Sequence, residues 1–286
     1  MRITALVENT AARDGVAAEH GLSLLIEANG RCVLFDAGQT DALLGNAAAL
    51  GVNLARVDTA VLSHGHYDHA GGFPAFFSVN DRAPLYVHAG FDLPHWHGEK
   101  YIGVPAGLAE NPRVIVADSR HDLGDGFTIV SYGACEPAFE IDSDGLEEER
   151  SDGRHPEQFL HEHYLIVEEG PLRVLLSGCS HRGIANIMHW TAGERITHVI
   201  GGFHLMRTPA ESDRVKQTAE ELLSLPANYL TCHCTGAEQY RRLKELMGDR
   251  LGYVSAGTSI VLMDQALTCS DQYSGRCIHR GNHSKE

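Results

Sequence analysis

No run of about 18 consecutive apolar residues, the length a helix needs to cross a bilayer, occurs in the 286-residue chain, so no membrane span is expected. The first ten residues, MRITALVENT, read as a strand entering a polar turn. They lack the long apolar stretch and small-residue cleavage site of a secretory signal, and the expected location is the cytoplasm. Positive charge is scarce: 23 Lys and Arg stand against 38 Asp and Glu, a formal charge of −15. Phosphate backbones are gripped by clustered basic surface, so a nucleic-acid partner is not expected. A small anionic substrate remains compatible, because bound divalent cations would offset acidity locally. The cysteines (32, 135, 179, 232, 234, 269 and 277) are odd in number and scattered. That fits reduced thiols better than a disulfide framework. No internal repeat is visible, and the sequence does not fix the oligomeric state.

Histidine is what the chain has in excess, with 18 residues, many of them ordinary surface groups. Four potential ligands crowd VLSHGHYDHAGG, residues 61–72: His64, His66, Asp68 and His69. In an extended segment residues i and i+2 face the same way, so His64 and His66 can hold one ion together. The chain must then turn, carrying Asp68 and His69 toward a second ion. Gly65 is expected to let the backbone pass close to the metal. Imidazole and carboxylate donors suit zinc, and also manganese, iron, cobalt or nickel. One histidine alone would read as chance; four ligand types at the end of an apolar strand do not. Further ligands are expected at other strand ends: His181 in LLSGCSHRGIANI, His204 in HVIGGFHLMR and His233 in YLTCHCTGAEQ.

Short apolar runs rich in β-branched residues predict strands over 3–7, 22–28, 31–35, 59–63, 84–88, 113–117, 127–132, 164–168, 172–177, 197–202 and 259–263. Helical patterns occupy 40–51, 183–190, 208–225 and 236–248, the third with Pro209 and acidic residues in its first turn. Alternating elements of this kind predict an α/β protein with two packed sheets and helices outside. One domain is expected over 1–264. Residues 89–112 and 136–158 read as loop insertions, either solvated or serving as a lid, and the aromatics Phe91, Trp96 and Tyr101 favour the first as lid. Residues 265–286 read as a flexible tail.

SHGHYDHAGG matches the HxHxDH signature of the metallo-β-lactamase superfamily, and the order of segments agrees over roughly residues 1–264. GLSLLIE, LFDAG, SGCSHRGIANI, GGFHL and CHCTG together resemble a branch related to the 7,8-dihydropterin-6-yl-methyl-4-(β-D-ribofuranosyl)aminobenzene 5′-phosphate synthases. The resemblance implies a four-layer αββα sandwich with its site at one edge of the sheets. It implies that His64, His66 and His181 hold a first ion and Asp68, His69 and His233 a second. Many superfamily members bridge the ions with an Asp, or place a Cys there, after a late strand. Here that strand ends in GGFH, without a carboxylate, which leaves open whether one ion is held or two. Cys179 could serve but falls one strand early.

The chemistry expected of such a centre is attack by a metal-activated hydroxide, since a bound ion lowers the pKa of water toward roughly 7. Asp68 is expected to orient that hydroxide and accept its proton, and His204 to stabilise an oxyanion or protonate a leaving group. Lys100, Arg182 and Arg207 are the cations expected to hold a substrate phosphate, with His20 as a further pocket residue. Glu8 and Glu19 lie in the same early loop as His20, while His161 and His163 read as structural. The expected activity is a hydrolase or transferase acting on a small phosphorylated, pterin-like compound. A lactonase, thioesterase or cyclic phosphodiesterase on the same scaffold is the alternative, and a non-catalytic metal sensor is a third reading.

Overall fold

A computed structural model describes residues 1–263 and the backbone of 266–269. Two large sheets pack face to face. The first has eight strands in the spatial order Ala266–Cys269, Ser259–Met263, Arg2–Val7, Ser23–Ala28, Arg31–Phe35, Thr59–Val61, Leu85–Val87 and Val114–Val116. The second has seven: Leu251–Tyr253, Asn228–Thr231, His198–Gly201, Leu172–Leu176, Tyr164–Glu169, Phe127–Val130 and Arg120–Gly124. Each sheet mixes antiparallel hairpins with a parallel half. Parallel strands require crossovers, and the helices supply them.

Three apolar layers follow from these strands being buried on both faces. Ile3, Leu24, Ile26 and Phe35 meet Phe127, Leu165, Val174 and Leu176 between the sheets. Leu43 and Ala47 of helix Ala42–Ala49, with Phe73 and Phe76 of helix Phe73–Val79, cover the outer face of the first sheet. Helices Ile184–Trp190, Asp213–Leu223 and Ala237–Met247 cover the second through Ile187, Val215, Leu222 and Leu243. The architecture is the four-layer αββα sandwich. No helix among the described residues is long and apolar enough to cross a membrane.

Two sequence readings change. The segments read as separate loop insertions join into a third, four-stranded sheet in the order Gly153–Pro156, Leu146–Arg150, His95–His97 and Lys100–Tyr101. Charged residues dominate these short strands, so no apolar alternation announces them. The tail reading also shifts, because Ala266–Cys269 pairs antiparallel with Ser259–Met263 and extends the first sheet past residue 264. Residues 270–286, with Cys277, lie outside the described residues.

Candidate metal centre

The HxHxDH segment leaves strand Thr59–Val61 and turns into the short helix Tyr67–Ala70, whose first turn carries Asp68. His181 follows strand Leu172–Leu176, His204 follows His198–Gly201, and His233 follows Asn228–Thr231. These are the ends of adjacent parallel strands, and the site sits where open α/β sheets bind ligands. Four site-forming residues adopt left-handed backbone without being glycine: Asp36, Ser180, His204 and His233, with φ of 59, 57, 48 and 48°. Strain of this kind gathers where a side chain must be aimed.

His64 Nε2 lies 3.2 Å from His181 Nε2, and His69 Nε2 lies 3.2 Å from His233 Nε2. Hydrogen bonding determines which of these nitrogens carry protons. Ser63 Oγ donates to Asp36 Oδ2 at 2.7 Å, so it must accept from His64 Nδ1 at 2.8 Å. His69 Nδ1 donates to the same Asp36 Oδ2 at 2.7 Å. Gly21 N–H donates to Asn9 Oδ1, which fixes that amide and makes it the acceptor for His233 Nδ1 at 2.7 Å. Each of these three imidazoles therefore keeps a bare Nε2 lone pair, and the lone pairs converge. Opposed lone pairs repel unless a cation sits between them. A tetrahedral zinc with nitrogen ligands at about 2.05 Å separates them by about 3.3 Å, close to both observed spacings. His181 adds a buried Nδ1 with no hydrogen-bond partner among the described residues. The donor set fits divalent metal. Partners on the far nitrogen, as here, are what orient metal-binding histidines.

His66 is turned differently. Its Nε2 lies 3.1 Å from both oxygens of Glu157, it groups with His95, Glu157 and His161, and its ring centroid is 4.6 Å from that of His64. Glu157 also takes His161 Nε2 at 2.7 Å, and His95 Nδ1 lies 3.2 Å from it. Gly65 N–H donates to His161 Nδ1 at 2.9 Å, so the proton of that imidazole is on Nε2 and His161 is an orienting group. Gly65 itself is explained by the first insertion: a Cβ there would collide with the carbonyl of Phe91. The expectation that this glycine makes room for metal gives way to a backbone contact.

Asp68 lies 3.3 Å from His233 Nε2, and its other neighbour, His20 Nε2, is at 3.2 Å. Burial pushes the Asp68 carboxyl up, but the imidazoles gathered round it, His69, His20 and His233, hold it well below the usual range. Burial, then neighbouring imidazoles, holds His64 and His181 well below 6.5, as ligation by neutral nitrogen requires. Burial also opposes charge on His204, yet hydrogen bonds to Asp144 and Cys234 push it up to about 9. Its Nε2 meets Asp144 Oδ2 at 3.1 Å and its ring lies 4.1 Å from that of His181. His204 is thus paired with Asp144 beside His181.

An open cavity lies over the centre, with His20, Asp68, His181, His204 and His233 in its lining and Lys100 and Arg207 on its wall. Lys100 Nζ contacts Tyr67 OH at 2.9 Å, and Arg207 contacts His97 Nε2 at 2.9 Å. Both Lys100 and His97 come from the third sheet. Arg182, expected to bind phosphate, is buried and turned away: its guanidinium donates to the carbonyls of Gln158 and Cys135 and lies over Trp190. Glu8 accepts from the His233 amide at 2.6 Å and from Tyr253 OH, while Glu19 binds the amides of Gln39 and Thr40.

Sequence reasoning missed Asp36, Asn9, Glu157, Asp144 and Glu162, which receives the His181 amide at 2.8 Å. Asp36 carried a signal, an acid closing the buried strand in LFDAG. The others are distant in sequence from the ligands that they orient.

The metallo-β-lactamase superfamily pattern matches residues 17–233. An uncharacterized protein of Methanocaldococcus jannaschii is 28% identical over 261 residues, covering 88% of this chain and 97% of that one. The 7,8-dihydropterin-6-methyl-4-(β-D-ribofuranosyl)-aminobenzene-5′-phosphate synthase of the same organism is 27% identical over 269 residues, covering 85% and 90%. The crystal structure of a metal-dependent hydrolase of the β-lactamase superfamily superposes with a TM-score of 0.78 at 28% identity, covering 92% of this chain and all of that one. With its fold, its ligand-bearing strand ends and a match over most of its length in agreement, the chain belongs to the metallo-β-lactamase superfamily.

Proposed function

We propose that the protein is a metal-dependent hydrolase or transferase acting on a small phosphorylated ring compound of pterin type. The carrying observation is the convergence of bare imidazole nitrogens beneath a cavity walled by two cations. His64, His66 and His181 would hold one ion, and Asp68, His69 and His233 the other, with zinc the metal best suited to the donors. Metal bound there supplies a Lewis acid and a low-pKa water at neutral pH.

The chain's own groups do the rest. Asp68, held ionised, accepts a proton and orients the nucleophile. His204, held protonated by Asp144, donates to the developing oxyanion or the departing group. Lys100 and Arg207 grip a phosphate at the mouth, fixing the substrate's reactive part over the ligands. Tyr67, Ile102, Leu146 and Met206 offer an apolar wall for a flat ring. The likeness to the synthase supports the pterin-type assignment.

A binding assay with paired pterin-like ligands, one phosphorylated and one not, tests the substrate class. Tighter binding of the phosphorylated partner, lost in Arg207→Ala, supports the reading. Equal affinities remove it, and turnover of simple esters, thioesters or phosphodiesters would then identify the chemistry instead.

A further inference from the structure

We propose that Cys179 is a metal ligand shared by the two halves of this centre, its thiolate standing where a bridging carboxylate is missing. The inference rests on the metal reading above and deepens it. The turn GGFH, after strand His198–Gly201, brings no acid to the bridging position. Asp68 groups with His20 and His233 alone, and the other nearby buried acids are occupied elsewhere: Asp36 on Ser63 and His69, Glu162 on the His181 turn, and Glu8 on the His233 amide. A sulfur fills the gap.

Cys179 Sγ lies 3.1 Å from His69 Nε2. Its sulfur groups with His64 and His181, and again with His69 and His233, every ligand atom in each group lying within 4.8 Å of the others. Among the described residues no other side chain joins both imidazole pairs in this way. Zinc–sulfur bonds of about 2.3 Å and zinc–nitrogen bonds of about 2.05 Å suit such spacings. The loop is built to bring the sulfur in. A Cβ on Gly178 would collide with the Ser63 hydroxyl and lie 3.2 Å from His64 Nδ1, so only glycine lets the two loops meet. Ser177 and Ser180 hydroxyls bond at 2.6 Å across the turn, and Ser180 takes a left-handed conformation.

Cys179 is also not a packing thiol. Cys232, two strands away and equally buried, sits among the apolar residues between the sheets, whereas Cys179 belongs to none of the hydrophobic clusters. Its neighbours are nitrogen lone pairs. Cys234 lies beside it, grouped with His204 and donating to the Cys179 carbonyl at 3.3 Å, and reaches neither imidazole pair in this way. A thiolate at the shared position biases the centre toward zinc, iron or cobalt and away from magnesium or calcium. Binding would displace the thiol proton to solvent.

Cobalt(II) added anaerobically to metal-free protein tests the assignment. Wild type and Cys234→Ser should show thiolate-to-cobalt charge-transfer absorption in the near ultraviolet; Cys179→Ser should not. Cys179→Asp, which restores a carboxylate, should bind cobalt without that band. Cobalt bound by wild type with no charge-transfer band overturns the sulfur assignment and leaves the metal reading standing. A band that survives in Cys179→Ser and vanishes in Cys234→Ser also overturns it. No cobalt bound by wild type in equilibrium dialysis overturns the metal reading, and the assignment with it.

Discussion

Asp36 takes the Nδ1 proton of His69 directly and that of His64 through Ser63. One carboxylate therefore sets the tautomer of a proposed ligand in each half of the centre, while Asn9 serves His233 alone. Orienting partners of this kind are worth about 10–100-fold in metal affinity. Asp36→Asn should weaken both ions by that order, and Asn9→Ala only one, as read by competition with a chromophoric chelator. Equal, single-site losses in the two variants would contradict the wiring. At His204, replacement by Ala should lower turnover by roughly 10²–10⁴-fold, the usual contribution of a positioned proton donor, with metal content by elemental analysis unchanged. Loss of metal would instead make it a ligand. His163 gives a pH signature away from the ligands. Both of its ring nitrogens are buried with no partner among the described residues, and burial, then His88, pushes it down to about 3 from 6.5. An imidazole that charges more readily when unfolded adds stability above the unfolded pKa. That stability is lost as pH falls from about 6.5 toward 3, at up to about 1.4 kcal/mol per unit. His163→Leu should flatten this acid limb in denaturant titrations; an unchanged slope would assign the loss to other groups.

The four-stranded sheet over the cavity joins two segments about fifty residues apart, and it delivers Lys100 and His97 to the mouth. Arg207, held by His97, reaches the same mouth from the second sheet's loops. Arg207→Ala should raise the KM for a phosphorylated ligand about tenfold or more, the worth of one charge-assisted hydrogen bond, and leave kcat nearly unchanged. A fall in kcat at constant KM would place the arginine at the reacting centre. At this scale the sequence was readable where burial is two-sided: runs such as RCVLF and LRVLL become central strands. The helices 184–190 and 237–247 were likewise visible in their helical patterns over 183–190 and 236–248. Strand Leu251–Tyr253 was too short for its period to stand out, and helix Phe73–Val79 was hidden by Pro74 and three phenylalanines. The third sheet escaped because strands such as LEEER and GRHP present charge, and their pairing is fixed by partners remote in sequence. The ligand histidines were legible because each ends a strand. Asp36, Asn9 and Glu157 were less so, because their value lies in contacts across as many as 224 positions.

For the whole molecule, two sheets share one apolar interior, and the ligands hang from strand ends on both. Loss of packing between the sheets should therefore disturb the centre as well as the fold. Phe35→Ala removes a fully buried ring next to Asp36 and should cost about 3–5 kcal/mol, read by thermal unfolding. Metal held as proposed would bind only the assembled arrangement, so saturating zinc should raise the melting temperature and a chelator should lower it. The most direct check of the account is elemental analysis of protein purified without added metal, repeated on His233→Ala. The two proposed ligand sets predict two divalent ions per wild-type chain and one in the variant. A wild-type chain free of metal, or a variant with undiminished content, would contradict the convergent centre on which the proposed chemistry rests.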